Sequence, residues 1–221
     1  RAVRLKPESV AAQANLARML LLAGQETRAM DAAWTAIGLS LDGSTAFLLA
    51  LDTLKAAGLD GPSPRRAGEL VRNHKEKPWA WFVLGVCLEH MGRLTGAMRA
   101  MRRASRLEPE STLVLASLGG LYNTLNRPKE AVETLTRAKE LAPDNASIRC
   151  SLAVAHELNG TIPLALEELE DALGLEPDCG PALLNKGRLL HFLGETEAAL
   201  DCYGELADRL PEYHKGRSAL L

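Results

Sequence analysis

Four prolines of this chain follow one another at a fixed interval, and that interval constrains the fold more than any other feature. Pro109, Pro143, Pro177 and Pro211 are each 34 residues apart. Three of them end similar segments, RRASRLEP, TRAKELAP and EDALGLEP, in which an alanine, a leucine and the proline keep the same spacing. A fixed period of this length indicates a repeat protein, in which one short structural unit is stacked many times.

Each 34-residue period contains the pattern of two amphipathic helices. In the period that ends at Pro109, apolar residues recur at positions i, i+3, i+4 and i+7, so they lie on one face of a helix. The turn at Met91–Gly92 ends this first helix, and a second apolar stripe begins a few residues later. The two stripes consist of Trp81, Leu84, Gly85 and Leu88, and of Ala97, Met101 and Ala104.

These patterns resemble the tetratricopeptide repeat (TPR) family over nearly the whole chain. The matching first-helix segments are W-x-x-L-G-x-x-L at 81–88 and L-x-x-L-G-x-x-Y at 115–122, and the second-helix segments are A-x-x-x-M at 97–101, A-x-x-x-L at 131–135 and A-x-x-x-Y at 199–203. The resemblance implies an all-α fold, an α-solenoid that forms a right-handed superhelix of antiparallel helix pairs. No single pair can bury its apolar face alone, so the stacking of neighbouring pairs makes the core.

The period predicts one TPR solenoid over residues 1–221. We expect the end of a preceding repeat at 1–7 and the start of a further helix at 214–221, and because the chain starts at Arg1 we expect it to belong to a longer protein. The second repeat diverges, and its breaker-rich loop at 58–63 is interpreted as a variable loop rather than a binding or hinge feature. The predicted repeats are 10–43, 44–77, 78–111, 112–145, 146–179 and 180–213.

Charge is unevenly distributed along the chain, although the formal net charge is only −2. Residues 1–110 hold 16 basic and 11 acidic residues, a balance of +5, and residues 111–221 hold 10 and 17, a balance of −7. Such polarity can steer a partner, but solvated helix faces are the more ordinary interpretation, including for the acidic run EELED at 167–171. A basic stripe without interleaved aromatic residues favours a solvated face or an acidic partner over nucleic acid. It consists of Arg99, Arg102, Arg103 and Arg106.

The sequence contains no catalytic constellation, so we expect a protein that is not an enzyme and that binds no cofactor or metal. Glycine-rich phosphate loops, HExxH pairs and nucleophile elbows are all missing. His156 occupies the slot that Tyr122 holds one repeat earlier, so it is interpreted as a packing residue rather than a ligand. The four cysteines include no CxxC pair, which favours buried, reduced thiols in a cytoplasmic protein. The longest apolar runs are too short to cross a membrane.

Trp79 and Trp81 are two residues apart and therefore cannot lie on the same face of one helix. Trp81 belongs to the apolar stripe of the repeat, which assigns it to the core. Trp79 falls on another stripe, which the resemblance places on the concave surface lined by first helices; the alternative is that Trp79 and Phe82 are buried against an adjacent helix. The predicted groove residues are Trp79, Phe82, Val86, Glu89, Leu113, Ala116, Asn123, Cys150, Val154, Arg188 and His191, and Glu157 shares their register.

An apolar middle and polar ends make this predicted groove typical of a protein-interaction site. We therefore expect a scaffold that binds an extended peptide or a helix of a partner protein, with neither nucleic acid binding nor membrane insertion. Two alternatives remain open. The chain is the substrate-recruiting TPR region of a larger enzyme, such as a glycosyltransferase or sulfotransferase, or it is a self-assembling TPR scaffold that forms a homo-oligomer.

Overall fold

The computed structural model describes residues 9–39, 45–56 and 63–209, and all regular structure in these residues is α-helical. The chain divides into two compact units, one spanning residues 1–107 and the other residues 108–221. The predicted repeat end at 1–7, the predicted helix at 214–221 and residues 58–62 of the divergent loop lie outside the described residues. Within the described part of the chain, the all-α fold of paired helices expected from the sequence is confirmed.

The first unit contains six of the described helices, and its contacts link helices that are close in sequence. The helix α1 packs against α2 and α3, α2 packs against α3, and α5 packs against α4 and α6. In chain order the helices are α1 (Val10–Leu22), α2 (Glu26–Leu39), α3 (Thr45–Ala56), α4 (Ser63–Asn73), α5 (Pro78–His90) and α6 (Leu94–Leu107).

The second unit contains another six described helices, and each packs against the next one in sequence. In addition, α7 contacts α9 and α9 contacts α11, so the first helices of three successive pairs lie side by side. This row of first helices is the surface on which the predicted groove residues of the unit stand. The helices are α7 (Thr112–Thr124), α8 (Pro128–Leu141), α9 (Ala146–Leu158), α10 (Ile162–Leu175), α11 (Gly180–Phe192) and α12 (Thr196–Arg209).

Several of the described turns inside helix pairs contain a residue with a left-handed backbone. Four such residues follow one another at 34-residue intervals, and their φ angles lie between 53° and 85°. Glycine adopts this conformation without strain, and asparagine tolerates it better than most residues. The four are Gly92, Asn126, Gly160 and Gly194.

Small residues allow the two helices of a pair to approach closely. A Cβ atom added to Gly119 of α7 would lie 2.4 Å from Cγ of Leu135 on α8. Added Cβ atoms at Gly85 and Gly187 would each come within 2.8 Å of a side chain on the partner helix, Met101 or Tyr203. A larger residue at any of these three positions would require the facing side chain or its helix to shift.

The predicted solvated face at EELED is wrong for one residue, Glu168. This glutamate is only 7% exposed. Lys139 Nζ of α8 donates to its Oε1 at 2.5 Å, and Arg149 Nη1 of α9 donates to its Oε2 at 3.1 Å. The acidic run therefore holds one buried carboxylate that joins three helices, while Glu167 and Glu170 beside it are exposed as expected.

Candidate functional site

The predicted groove residues of the first unit are mostly enclosed. Trp79 is 6% exposed, Phe82 and Val86 are also buried, and Glu89 is half-buried. Burial raises the pKa of the Glu89 carboxyl, and the nearby charge of Lys55 opposes that shift. For Trp79 and Phe82 the structure therefore agrees with the burial alternative rather than with an open groove.

The burial of the two tryptophans of α5 is the reverse of what the helical wheel predicts: Trp79 is buried and Trp81 is partly exposed. The ring of His74, in the segment after α4, lies 5.2 Å from the ring of Trp79 at an angle of 44° and helps to cover it. Trp81 is partly exposed, and its Nε1 donates a hydrogen bond of 2.8 Å to the carbonyl oxygen of Lys75. In both cases the tryptophan contacts a residue of the short connection between α4 and α5, which the helical repeat does not describe.

The predicted groove residues of the second unit are more accessible. Leu113, Arg188 and His191 are exposed, Ala116, Asn123 and Val154 are half-buried, and Cys150 is buried. They stand on α7, α9 and α11, which lie side by side in this unit. The structure thus brings these residues onto one row of first helices, with Cys150 beneath the surface rather than on it.

Polar contacts fix the spacing of these three helices. Asn123 Nδ2 on α7 donates a hydrogen bond of 2.8 Å to the carbonyl oxygen of Ser151 on α9. Further along the row, Arg188 of α11 donates two hydrogen bonds to the carboxylate of Glu157 on α9, from Nη1 to Oε1 and from Nη2 to Oε2, each at 2.5 Å. These hydrogen bonds raise the pKa of the Arg188 guanidinium, whereas burial lowers it to a smaller extent. A planar fork of this kind holds both side chains in one orientation.

The Arg188–Glu157 pair forms part of an open cleft of about 500 Å³. The cleft is lined by Glu157, Ile162, Arg188, His191 and Phe192. Phe192, the last residue of α11, is 76% exposed and is therefore a large apolar surface with little cover. The cleft thus combines an apolar wall, an imidazole and an ion pair that is already internally neutral.

Ile162 and Phe192 line the cleft but are not among the predicted groove residues. A signal for Phe192 exists in the sequence, because the equivalent positions one, two and three repeats earlier are Leu158, Thr124 and His90. The repeat therefore does not require an aromatic residue at this position, and Phe192 departs from the pattern. Ile162 has no comparable signal, since an apolar residue at the start of a helix is ordinary.

The four cysteines are free thiols, and all of them are buried. Cys150 Sγ lies 3.6 Å from Cys179 Sγ, which joins α9 to the residue that precedes α11. Burial raises the pKa of the Cys87 thiol to about 12, and burial together with the neighbouring Cys179 raises the pKa of the Cys150 thiol to about 12. Protonated thiols are poor nucleophiles and poor metal ligands, which agrees with the predicted buried, reduced state.

Residues 9–39, 45–56 and 63–209 contain no group of three or more His, Cys, Asp or Glu side chains placed to hold a metal ion. Among the helices in these ranges, none is long and apolar enough to span a bilayer.

Comparison with known sequences identifies repeats of one family in this chain. Two sequence models of the tetratricopeptide repeat match it, one over residues 88–153 and the other over residues 180–209. No curated protein sequence matches the chain.

Several solved structures share the fold. MamA from Desulfovibrio magneticus RS-1 is 15% identical with a TM-score of 0.62, covering 92% of this chain and 96% of that one. YrrB is 18% identical with a TM-score of 0.58, covering 99% and 95%. TTC0263 from Thermus thermophilus is 21% identical with a TM-score of 0.61, covering 82% and 99%. The helix pairs, the 34-residue spacing and the matching repeat models together show that this chain contains tetratricopeptide repeats.

Proposed function

We propose that this protein is an interaction scaffold that holds an extended segment of a partner protein against the first helices of its second unit. The observation that carries this proposal is the open cleft beside the Arg188–Glu157 pair, with Phe192 exposed at its edge. The proposed contact residues are Leu113, Ala116, Asn123, Val154, Arg188 and His191 from the predicted groove, together with Ile162 and Phe192.

The cleft favours a particular kind of partner residue. Phe192 and Ile162 offer apolar contact to an aliphatic or aromatic side chain, and exposed aromatic residues are frequent anchors of protein interfaces. Arg188 uses two of its five N–H donors on Glu157, which leaves donors for a backbone carbonyl or a side-chain oxygen of the partner. Because the ion pair is neutral as a whole, a strongly charged partner residue is not favoured in the cleft.

One of the similar structures supports this role for the fold. YrrB is described as a TPR protein with an unusual peptide-binding site. At 18% identity the likeness carries the fold alone, so our proposal rests on the surface of this chain. We keep Glu89 as a candidate contact of the first unit and assign a supporting role to the buried Trp79, Phe82, Val86 and Cys150.

The proposal includes no catalytic step. Peptide capture needs a stable surface and accessible anchors, and the buried thiols with raised pKa values offer no activated nucleophile. A cytoplasmic location also belongs to the proposal, since all four cysteines are free thiols and such thiols persist in reducing compartments.

The test is a selection of displayed random peptides on the immobilised chain, followed by affinity measurement of the selected peptides by fluorescence anisotropy. Phe192→Ala should weaken binding about tenfold or more, as truncation of an aromatic anchor does. Leu164→Ala is the matched control because Leu164 is an exposed apolar residue on α10 outside the cleft. Its affinity should equal that of the wild type. Unchanged binding by Phe192→Ala would remove the cleft from the proposal.

A further inference from the structure

The arginine stripe of α6, formed by Arg99, Arg102, Arg103 and Arg106, is an exposed and largely unpaired basic surface. Arg99, Arg102 and Arg106 are exposed, and α6 contains no acidic residue. Arg103 lies 3.7 Å from Glu76. The other three make no ion pair with any described residue of the chain. Three guanidinium groups on one helix face are therefore available to carboxylates from elsewhere.

The same repeat positions three periods later carry the opposite charge. Asp201, Glu205 and Asp208 of α12 lie 102 residues, or three 34-residue periods, after Arg99, Arg103 and Arg106. All three are exposed, and with Glu197 they make residues 196–208 acidic without any basic residue. Asp201 and Asp208 form no ion pair within the described part of the chain. We call Glu197, Asp201, Glu205 and Asp208 the acidic stripe.

The two second helices between these stripes do not offer a comparable surface. At the equivalent positions α8 mixes Glu133 and Glu140 with Arg137. On α10, Glu170 lies 3.1 Å from Lys186 and Asp171 lies 2.7 Å from Arg149, so both carboxylates are already paired. The strongest opposite charges therefore stand on α6 and α12, at matching places in their repeats.

We infer that this protein associates with a second copy of itself, with the arginine stripe of one copy against the acidic stripe of the next. The two stripes share helix face, spacing and exposure, so carboxylates and guanidinium groups can meet along the length of both helices. The contact joins two different surfaces, which makes it heterologous, and a further copy can add at each free stripe. The inference concerns another surface than the proposed peptide cleft.

The association depends on salt. Exposed ion pairs each contribute little and are screened as ionic strength rises. Self-association is therefore weak, grows with protein concentration and is lost at high salt. Long-range attraction between complementary charged surfaces also speeds the encounter of two copies.

Sedimentation velocity of the full chain tests this inference. Over a concentration series at about 0.02 M salt, the wild-type sedimentation coefficient should rise, and at about 0.5 M salt it should stay constant because the Debye length falls several-fold. Arg99→Glu, Arg102→Glu and Arg106→Glu together should abolish the rise. So should Asp201→Lys, Glu205→Lys and Asp208→Lys together. The variant that combines all six substitutions should associate again. Its α6 stripe is then acidic and its α12 stripe basic, so the two stripes are again complementary in charge.

A matched control distinguishes the effect of the arginine stripe on association from the effect of the net charge of the chain. Arg18→Glu, Arg93→Glu and Arg137→Glu together reverse three other exposed arginines and should leave the association within about twofold of wild type. Circular dichroism checks that each variant keeps its helical content. The inference is overturned if the wild type does not associate at low salt, if the control abolishes association as the stripe variant does, or if the folded variant with all six substitutions stays monomeric. Phe192→Ala should leave self-association unchanged whether or not the cleft binds peptide.

Discussion

The glycines at 119 and 120 are neighbours in α7 but have different surroundings. An added Cβ at Gly119 would come within 2.4 Å of Leu135, whereas nothing lies within 4 Å of one at Gly120. Gly119→Ala should lower the free energy of unfolding by about 1–3 kcal/mol, because it overpacks the contact between α7 and α8. Gly120→Ala should raise it by up to about 1 kcal/mol, because alanine favours the helix.

Urea unfolding followed by circular dichroism measures both changes, and each glycine serves as the control for the other. Equal effects of the two substitutions would contradict the close approach of α7 and α8 at Gly119. A loss of stability in both variants would instead mean that Gly120 is also enclosed.

Trp79 and Trp81 make separate contributions to the stability of α5. Trp79→Ala should cost about 3–5 kcal/mol, as other truncations of buried aromatic residues do, because this side chain is 6% exposed. Trp81→Phe keeps much of the apolar contact and removes the hydrogen bond to Lys75, which should cost about 1 kcal/mol. Chemical denaturation of the two variants measures the difference. A larger loss in Trp81→Phe than in Trp79→Ala would restore the assignment that the helical wheel makes.

Glu168 of α10 forms ion pairs that join this helix to α8 and α9. Its carboxylate binds Lys139 and Arg149, whose side chains are themselves mostly buried. Glu168→Gln should cost about 2–3 kcal/mol, because Lys139 loses its carboxylate partner in a poorly solvated place and Arg149 keeps only its pair with Asp171. Glu167→Gln should change stability by less than about 0.5 kcal/mol, since Glu167 is an exposed neighbour that forms no ion pair with a described residue.

Unfolding in urea at low and at high salt checks this element-scale prediction. The cost of Glu168→Gln should persist at high salt, because buried pairs are screened less than exposed ones. A cost that disappears at about 1 M salt would show that the contact behaves as a surface ion pair.

The elements themselves follow from the sequence more fully than the site does. The 34-residue period predicts paired helices, and the structure has α5, α7, α9 and α11 beginning at 34-residue intervals. The glycines of the helix contacts also stand at a fixed place in the sequence pattern, because a close approach requires a small residue there. These features depend on contacts that recur in every repeat.

Features that depend on one particular connection or on distant partners could not be predicted in this way. Trp79 is covered by His74, which stands outside the helical period. Glu168 is buried because Lys139 and Arg149, 29 and 19 residues earlier, reach it. The cleft needs Ile162 and Phe192 from two helices, and only Phe192 departs visibly from the repeat.

At the scale of the whole molecule, the main polar contacts of the second unit are formed between residues that all belong to that unit. Glu168, Lys139 and Arg149 all lie within residues 108–221, as do Arg188 and Glu157. In repeat proteins each unit depends chiefly on its nearest neighbours, so stability is close to a sum of local terms. A fragment that holds all partners of a contact should therefore preserve that contact.

The fragment of residues 108–221 should fold by itself into helices and unfold cooperatively in urea. It should be less stable than the full chain, because the stability of a repeat protein is close to a sum over its repeats and the fragment has fewer of them. Glu168→Gln should cost the fragment the same as it costs the full chain within about 0.5 kcal/mol, since distant sites add independently. Circular dichroism during urea unfolding measures all four proteins. A fragment that lacks helical content, or in which Glu168→Gln has no effect, would show that the second unit depends on residues 1–107 for its structure.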